Sequence, residues 1–186
     1  MITRKQREEA VRETLAMLDG VGIALTRGER DNVEVADFGL SDLRNIGLQL
    51  VVYINTSRVC SKELVMTPWQ TCPEHRHPAI GNIPGKEETF RCRSGIVYLY
   101  VEGEPNGVPK TQGLEAYAAY LAAAHEITLR PGEQYTLAPD TLHWFRAGAE
   151  GAIVSEFSTT STDENDIFTD PRVARVTIVE PAAGAN

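Results

Sequence analysis

The stretch CPEHRHPAIGNIPGKEETFRCRSG, residues 72–95, decides how this chain folds. In extended backbone successive side chains face opposite sides, so His75 and His77 share one face while Glu74 and Arg76 take the other. Two imidazoles therefore converge on one point. The insert PAIGNIPG, residues 78–85, is rich in turn formers and ends where a new strand opens. In that strand Glu88, Phe90 and Cys92 share a face, and Glu87, Thr89 and Arg91 share the opposite one. Glu88, and not Glu87, is the carboxylate expected beside the two imidazoles, with Cys92 packed in the core.

Outward from this stretch the pattern stays β-rich. GLQLVVYINT (47–56), KELVM (62–66), TFRCRSGIVYLYVEG (89–103), HEITLRPGEQYTLAPDTLHWF (125–145) and GAIVSEFS (151–158) carry β-branched and aromatic residues. Gly95, Pro105 to Gly107, Pro131-Gly132 and Pro139-Asp140 break them into strands. A mainly β barrel or sandwich follows. Ala10, Val11, Leu15 and Leu18 recur at helical spacing, which predicts an N-terminal helix within residues 1–20. The Ala-rich run Gly113 to Ala124 predicts a second, short helix. One domain over residues 1–186 is expected, with the barrel over about 47–158 and a C-terminal arm over 159–186.

Bulk properties exclude several partners. A net charge of −8 opposes binding to nucleic-acid phosphates, and no apolar run approaches the length of a membrane span. The charged N-terminus lacks the apolar segment of a secretory signal. Three cysteines, Cys60, Cys72 and Cys92, form no CxxC pair, which fits reduced thiols in the cytoplasm.

His143, after the turn Pro139-Asp140-Thr141, supplies a third imidazole. With His75, His77 and Glu88 it makes an N/O donor set suited to a divalent ion such as Mn, Fe, Co, Ni or Zn. An octahedral ion held by these four would keep two open positions, as catalytic metal sites do. His125 reads as structural. Trp69, Trp144 and Phe145 read as wall formers.

The His-x-His pair, the downstream Glu88 to Gly95 segment and the Gly132, Pro139, His143 run together resemble the two motifs of the cupin family. That family places three His and one Glu on a metal inside a jelly-roll-like β-barrel. Here ten residues separate His77 from Glu88, more than in the commonest cupin spacing. Longer segments sharpen the likeness: KELVMTPWQTCPEHRHP, GKEETFRCRSGIVYLYVEGE, PGEQYTLAPDTLHWFRAG and VSEFSTTSTDENDIFTDPR resemble the D-lyxose isomerase family, from about Gly39 to Arg172. The resemblance extends to loop residues Asp166, Asp170 and Pro171, which barrel packing does not dictate.

The resemblance implies interconversion of free D-lyxose and D-xylulose, and of D-mannose and D-fructose, with a divalent ion that is often Mn, in a homodimer. Such an exchange moves a proton between C1 and C2 and needs a base. Glu156, in VSEFS, is the first candidate, although strand parity leaves its direction open between core and solvent. Lys86 shares the parity of Glu88 and is the second candidate, as a donor to sugar oxygens. Lys62 is a candidate for binding sugar hydroxyls. Three alternatives stay open: a cupin phosphosugar isomerase, with Arg91, Arg93 or Arg146 holding phosphate; an iron dioxygenase; and a non-catalytic sugar-binding cupin.

Overall fold

A computed structural model describes residues 1–181 of the chain. Helix α1 (Arg4–Gly20) starts where Thr3 and Gln6 cap each other. The Gln6 amide donates to Thr3 Oγ1 at 3.1 Å and the Thr3 amide to Gln6 Oε1 at 2.8 Å, which satisfies two otherwise unpaired donors. Ala10, Thr14 and Leu18 form its buried stripe, and Leu18 packs on Val33, Val51, Val65 and Ile153. A five-residue helix, α2 (Arg27–Asp31), is capped in the same way by Thr26 and Glu29.

Strands β1 (Glu34–Ala36), β2 (Leu48–Asn55), β3 (Cys60–Met66), β4 (Thr71–Arg76), β5 (Glu88–Val101), β6 (His125–Leu129), β7 (Gln134–Leu137), β8 (His143–Ser158) and β9 (Ile167–Phe168) form one curled sheet. Its path runs β1-β2-β3-β8-β4-β9, with β5 pairing β6, β7 and β8. In β2, Leu48 and Leu50 join the main core, whereas Val51 joins the smaller cluster under α1. β3 is buried on both faces, because Leu64 and Met66 point into the barrel and Val65 points at α1.

The two longest strands, β5 and β8, pair along nearly their whole length and bend together at bulges near Cys92 to Val97. Gly95 (φ 72°) and Gly151 (φ 76°) sit at this bend, and a Cβ on Gly95 would overlap the Gly151 carbonyl oxygen. Only glycine fits that approach, and the bulge turns the pair around the core. Each long strand thus serves two neighbours. β8 pairs β4 through its first half and β3 through its second.

Three features depart from sequence expectation. The stretch from Gly113 to Ala124 contains one 3-10 turn, Ala118–Tyr120, and not a helix. Side chains there are claimed individually: Leu114 plugs the core, Tyr117 Oη donates to Asp42 Oδ2 at 2.9 Å, and the Ala123 amide donates to Glu74 Oε2 at 2.7 Å. Specific tertiary bonds outweigh the helix preference of alanine. Strand β1 extends the sheet before residue 47. The segment after Ser158 folds back over the barrel mouth: β9 pairs β4, and Val179 bridges Ile2. No helix among the described residues is long and apolar enough to cross a membrane.

Candidate metal and catalytic site

Register brings the candidate residues to one end of the barrel. His75 in β4 is the Cα partner of His143 at the start of β8. Glu88 opens β5 and faces Ser158, while Phe90 faces Glu156, which also faces Lys62 of β3. His77 lies just past β4. The insert between His77 and Glu88 closes on itself through paired backbone bonds between Ile80 and Ile83, of 2.9 and 3.0 Å. Gly85 then presses against the His77 carbonyl, too close for any Cβ. The long spacer therefore loops out and returns Glu88 beside His77.

The ligand nitrogens of His75, His77 and His143 lie within 4.8 Å of one another, and all three residues are buried. Each Nδ1 is engaged: on Pro73 O at 2.8 Å for His75, on Asp166 Oδ1 at 2.5 Å for His77, and on Thr141 O at 2.9 Å for His143. For His75 and His143 these acceptors hold the proton on Nδ1 and leave the Nε2 lone pair free, as in metal-binding histidines, whereas His77 Nε2 is bonded to Glu88 Oε1. Glu88 Oε1 stands 3.2 Å from His77 Nε2 and 3.1 Å from His143 Nε2. His143 Nε2 has no hydrogen-bond partner among the described residues, because its approach to Glu88 lacks hydrogen-bond geometry. Three convergent imidazole nitrogens, one of them an orphaned buried acceptor, and a carboxylate fit a divalent cation.

Burial holds the His75 imidazole neutral, well below its usual pKa, with the neighbouring rings of His143 and His77 acting in the same direction. Burial also opposes charge on His77, but Glu88 and Asp166 outweigh it and raise that group to about 9. A cation placed between the rings would compete with the His77 proton.

Glu156 points inward and is 3% exposed. Its Oε1 accepts from Lys86 Nζ at 3.1 Å and from the Ser158 hydroxyl at 3.0 Å. Among the described residues these bonds fall on Oε1, leaving Oε2 to the cavity. Lys86 also reaches Glu88 Oε2 at 2.7 Å. Burial disfavours its charge, yet Glu88, Glu156 and Asp163 together hold the ammonium well above its normal pKa. In this arrangement Lys86 is a hydrogen-bond donor to both carboxylates. Lys62 is buried rather than solvated, with Nζ 2.9 Å from Ser161 Oγ and 2.9 Å from Asp163 Oδ2.

A cavity open to solvent is lined by His75, His77, Glu88, Lys62, Lys86 and Glu156. Leu48, Leu50, Leu64 and Phe145 form an apolar wall, opposite a polar end built from the His cluster, Glu88, Lys62, Lys86 and Glu156. Sequence reading did not assign Asp163, Asp166, Phe168 and Arg175 to the site, yet all four line it from the C-terminal arm. Trp144 stacks on Tyr100 (3.9 Å) away from the cavity, and Trp69 is 42% exposed. His125 contacts Glu104 O at 2.9 Å, outside the cavity lining.

A family model described as D-lyxose isomerase matches residues 27–184. The chain belongs to the D-lyxose isomerase family. A D-lyxose/D-mannose isomerase from Thermosediminibacter oceani is 56% identical over 180 residues, covering 97% of this chain and 99% of that protein. A D-lyxose ketol-isomerase from Cohnella laeviribosi is 58% identical over 172 residues, covering 92% of this chain and 94% of its own. Among solved structures, L-ribose isomerase from Acinetobacter sp. DL28 superimposes with a TM-score of 0.77 at 17% identity, covering 96% of this chain and 98% of that one. That likeness is one of fold, and the barrel is of the cupin type. Family membership makes the chain an isomerase.

Proposed function

We propose that this D-lyxose isomerase family member interconverts D-lyxose and D-xylulose, and more slowly D-mannose and D-fructose, by proton transfer through an enediol. The observation that carries the reading is the convergence of the three imidazoles with Glu88 beside the inward-pointing Glu156, in a chain of this family. His75, His77, Glu88 and His143 would hold a divalent ion, Mn by preference, with Co, Ni, Fe or Zn as substitutes. When bound, the ion supplies positive charge beside the oxygens of the reacting carbons and lowers the cost of the enediolate.

The chain's own groups supply the rest. Glu156 takes the proton from C2 of the aldose through its free oxygen and returns it to C1 of the ketose. Its other oxygen is held by Lys86 and Ser158, which fixes the direction of the carboxylate. The Lys86 ammonium donates a hydrogen bond to a sugar oxygen as negative charge develops there. Lys62 stands in the wall as a donor to sugar hydroxyls.

A free sugar suits the cavity better than a phosphorylated one. Arg91 bonds Gln134, Arg93 is exposed, and Arg146 is tied to the carbonyls of Trp69, Lys110 and Gln112. None of the three lines the cavity, and the cations that do, Lys62, Lys86 and Arg175, already face carboxylates. The Lys86–Glu156 pair at the metal cluster favours an enzyme over a passive sugar-binding cupin. Buried, unpaired Cys60, Cys72 and Cys92 agree with a cytoplasmic setting. Exposed Ile54 and Phe157, flanking Ser61 in the sheet register, support a homodimer that covers this face.

The test is turnover by purified enzyme stripped with chelator and reloaded with Mn. D-lyxose should have the highest kcat/KM in a panel of free pentoses, hexoses and their 6-phosphates, and stripping should abolish turnover. A higher kcat/KM for fructose 6-phosphate than for every free sugar would reject the reading.

A further inference from the structure

Asp163 enters the cavity from outside the barrel, on a single 3-10 turn (Asp163–Asn165) of the C-terminal arm. Its Oδ2 accepts from Lys62 Nζ at 2.9 Å and lies 3.2 Å from Arg175 Nη2. Its Oδ1 accepts from the Ser161 hydroxyl and stands 3.9 Å from Lys86 Nζ. Lys62 and Glu156 occupy facing positions in the β3–β8 register, and both are 3% exposed. Opposite charges placed so, away from water, attract strongly and would close into a direct pair. They do not close: Lys62 Nζ stays 3.9 Å from Glu156 Oε1. Asp163 and Ser161 hold the ammonium on their side instead.

We infer that Asp163 is a positioning residue for the isomerisation, holding Lys62 off Glu156 so that the Glu156 carboxylate keeps its strength as a base. The inference rests on Glu156 being the base. Without the Asp163 charge, the Lys62 ammonium turns to the carboxylate that it faces in the register, Glu156. A second ammonium bonded to that carboxylate, beside Lys86, stabilises its charge and weakens it as a base for the carbon-bound proton. Lys86 cannot take over as restraint, since it is a cation itself and is spent on Glu88 and Glu156. The arm therefore supplies the charge that keeps a strand-borne base available, although Asp163 lies on no strand.

A double-mutant cycle on the metal-loaded full chain tests this. Asp163→Asn keeps the shape and an acceptor for Ser161 while removing the charge. It should lower kcat on the order of 10- to 100-fold, as small misplacements in active sites do, with KM within about threefold and metal content unchanged. In a Lys62→Met background the same change should cost less than about twofold, because no ammonium remains to be restrained. Equal losses in the two backgrounds would overturn the assignment, as would a change confined to KM. If Asp163→Asn does not fold, Ser161→Ala removes the second acceptor on Lys62. It should lower kcat by a smaller factor that also vanishes with Lys62→Met, and an unchanged kcat would then overturn the inference. A wild type with no turnover on any free aldose rejects the functional reading and this inference together. An active wild type with additive losses rejects this inference alone.

Discussion

The strand-borne end of the cavity and the arm-borne end are held by different forces. His75, Glu88, His143 and Glu156 sit on β4, β5 and β8, where backbone ladders fix each Cα and parity fixes each side chain's face. Asp163, Asp166 and Arg175 lie on an arm whose backbone contacts, among the described residues, are the two-residue strand β9, a bridge to Ile2 and single bonds such as Ala174 N to Phe38 O at 2.9 Å. Side chains add to its placement: Phe168 packs on Phe38 (5.7 Å) and His75 (5.3 Å), and Arg175 joins Glu34 at 2.5 Å. The difference teaches that the barrel supplies the proposed ligands and the proposed base, while the arm supplies charges beside them.

Damage to the strand-borne end should be the more severe. Replacing His143 with Ala removes a ligand whose Nε2 has no other use, and metal content measured by elemental analysis should collapse. Changes around metal ligands already cost about 10- to 100-fold, so turnover should fall by at least that much. Retention of full metal and full turnover in both His143→Ala and His75→Ala would break the comparison outright.

Glu156→Gln should lower kcat by about 10²- to 10⁴-fold, the usual worth of a general base, while leaving metal content intact. The isotope readout sharpens it. Wild type in D₂O should place deuterium at C1 or C2 of the product, and the variant should do so at the reduced rate. A Glu156→Gln enzyme with unaltered kcat would move the base elsewhere, with Lys86 the next candidate.

An arm residue one step from the metal should have a graded effect. Asp166→Asn weakens the bond that holds the His77 tautomer, and metal affinity should drop about 10- to 100-fold with the fold preserved. Excess Mn should restore most of the turnover. Titration calorimetry that finds no change in affinity would show that Asp166 does not orient His77.

The smallest effect is expected farthest out on the arm. Glu34 is 41% exposed in its pair with Arg175, and a pair so open to solvent contributes on the order of 0–1 kcal/mol. Glu34→Gln should therefore lower Tm by no more than about 4 °C. A much larger shift would mean that this pair, and not Phe168, fastens the arm.

Much of the strand-borne end is legible in the amino-acid sequence. A period of two is a local property of extended chain, so His75 with His77, and Glu88 apart from Glu87, follow from spacing alone. The N-terminal helix and the β-rich body are local in the same sense, whereas Gly95, expected to end a strand, only bends β5 at a bulge. Parity does not say which face of β8 turns inward, and the direction of Glu156 is decided by its pairing with Lys62 and Phe90. The direction of Lys62 is hidden likewise, since a charged strand residue is solvated unless partners from elsewhere receive it. Asp163, Asp166 and Arg175 leave no periodic mark, because an arm held by scattered contacts has no repeat to read. Sequence by itself determined which residues could share a face; tertiary structure decided which faces met. Facing is set by pairing between segments separated by about 70 to 100 residues, such as Lys86 with Glu156 and Lys62 with Asp163, and only the closed barrel brings those segments together.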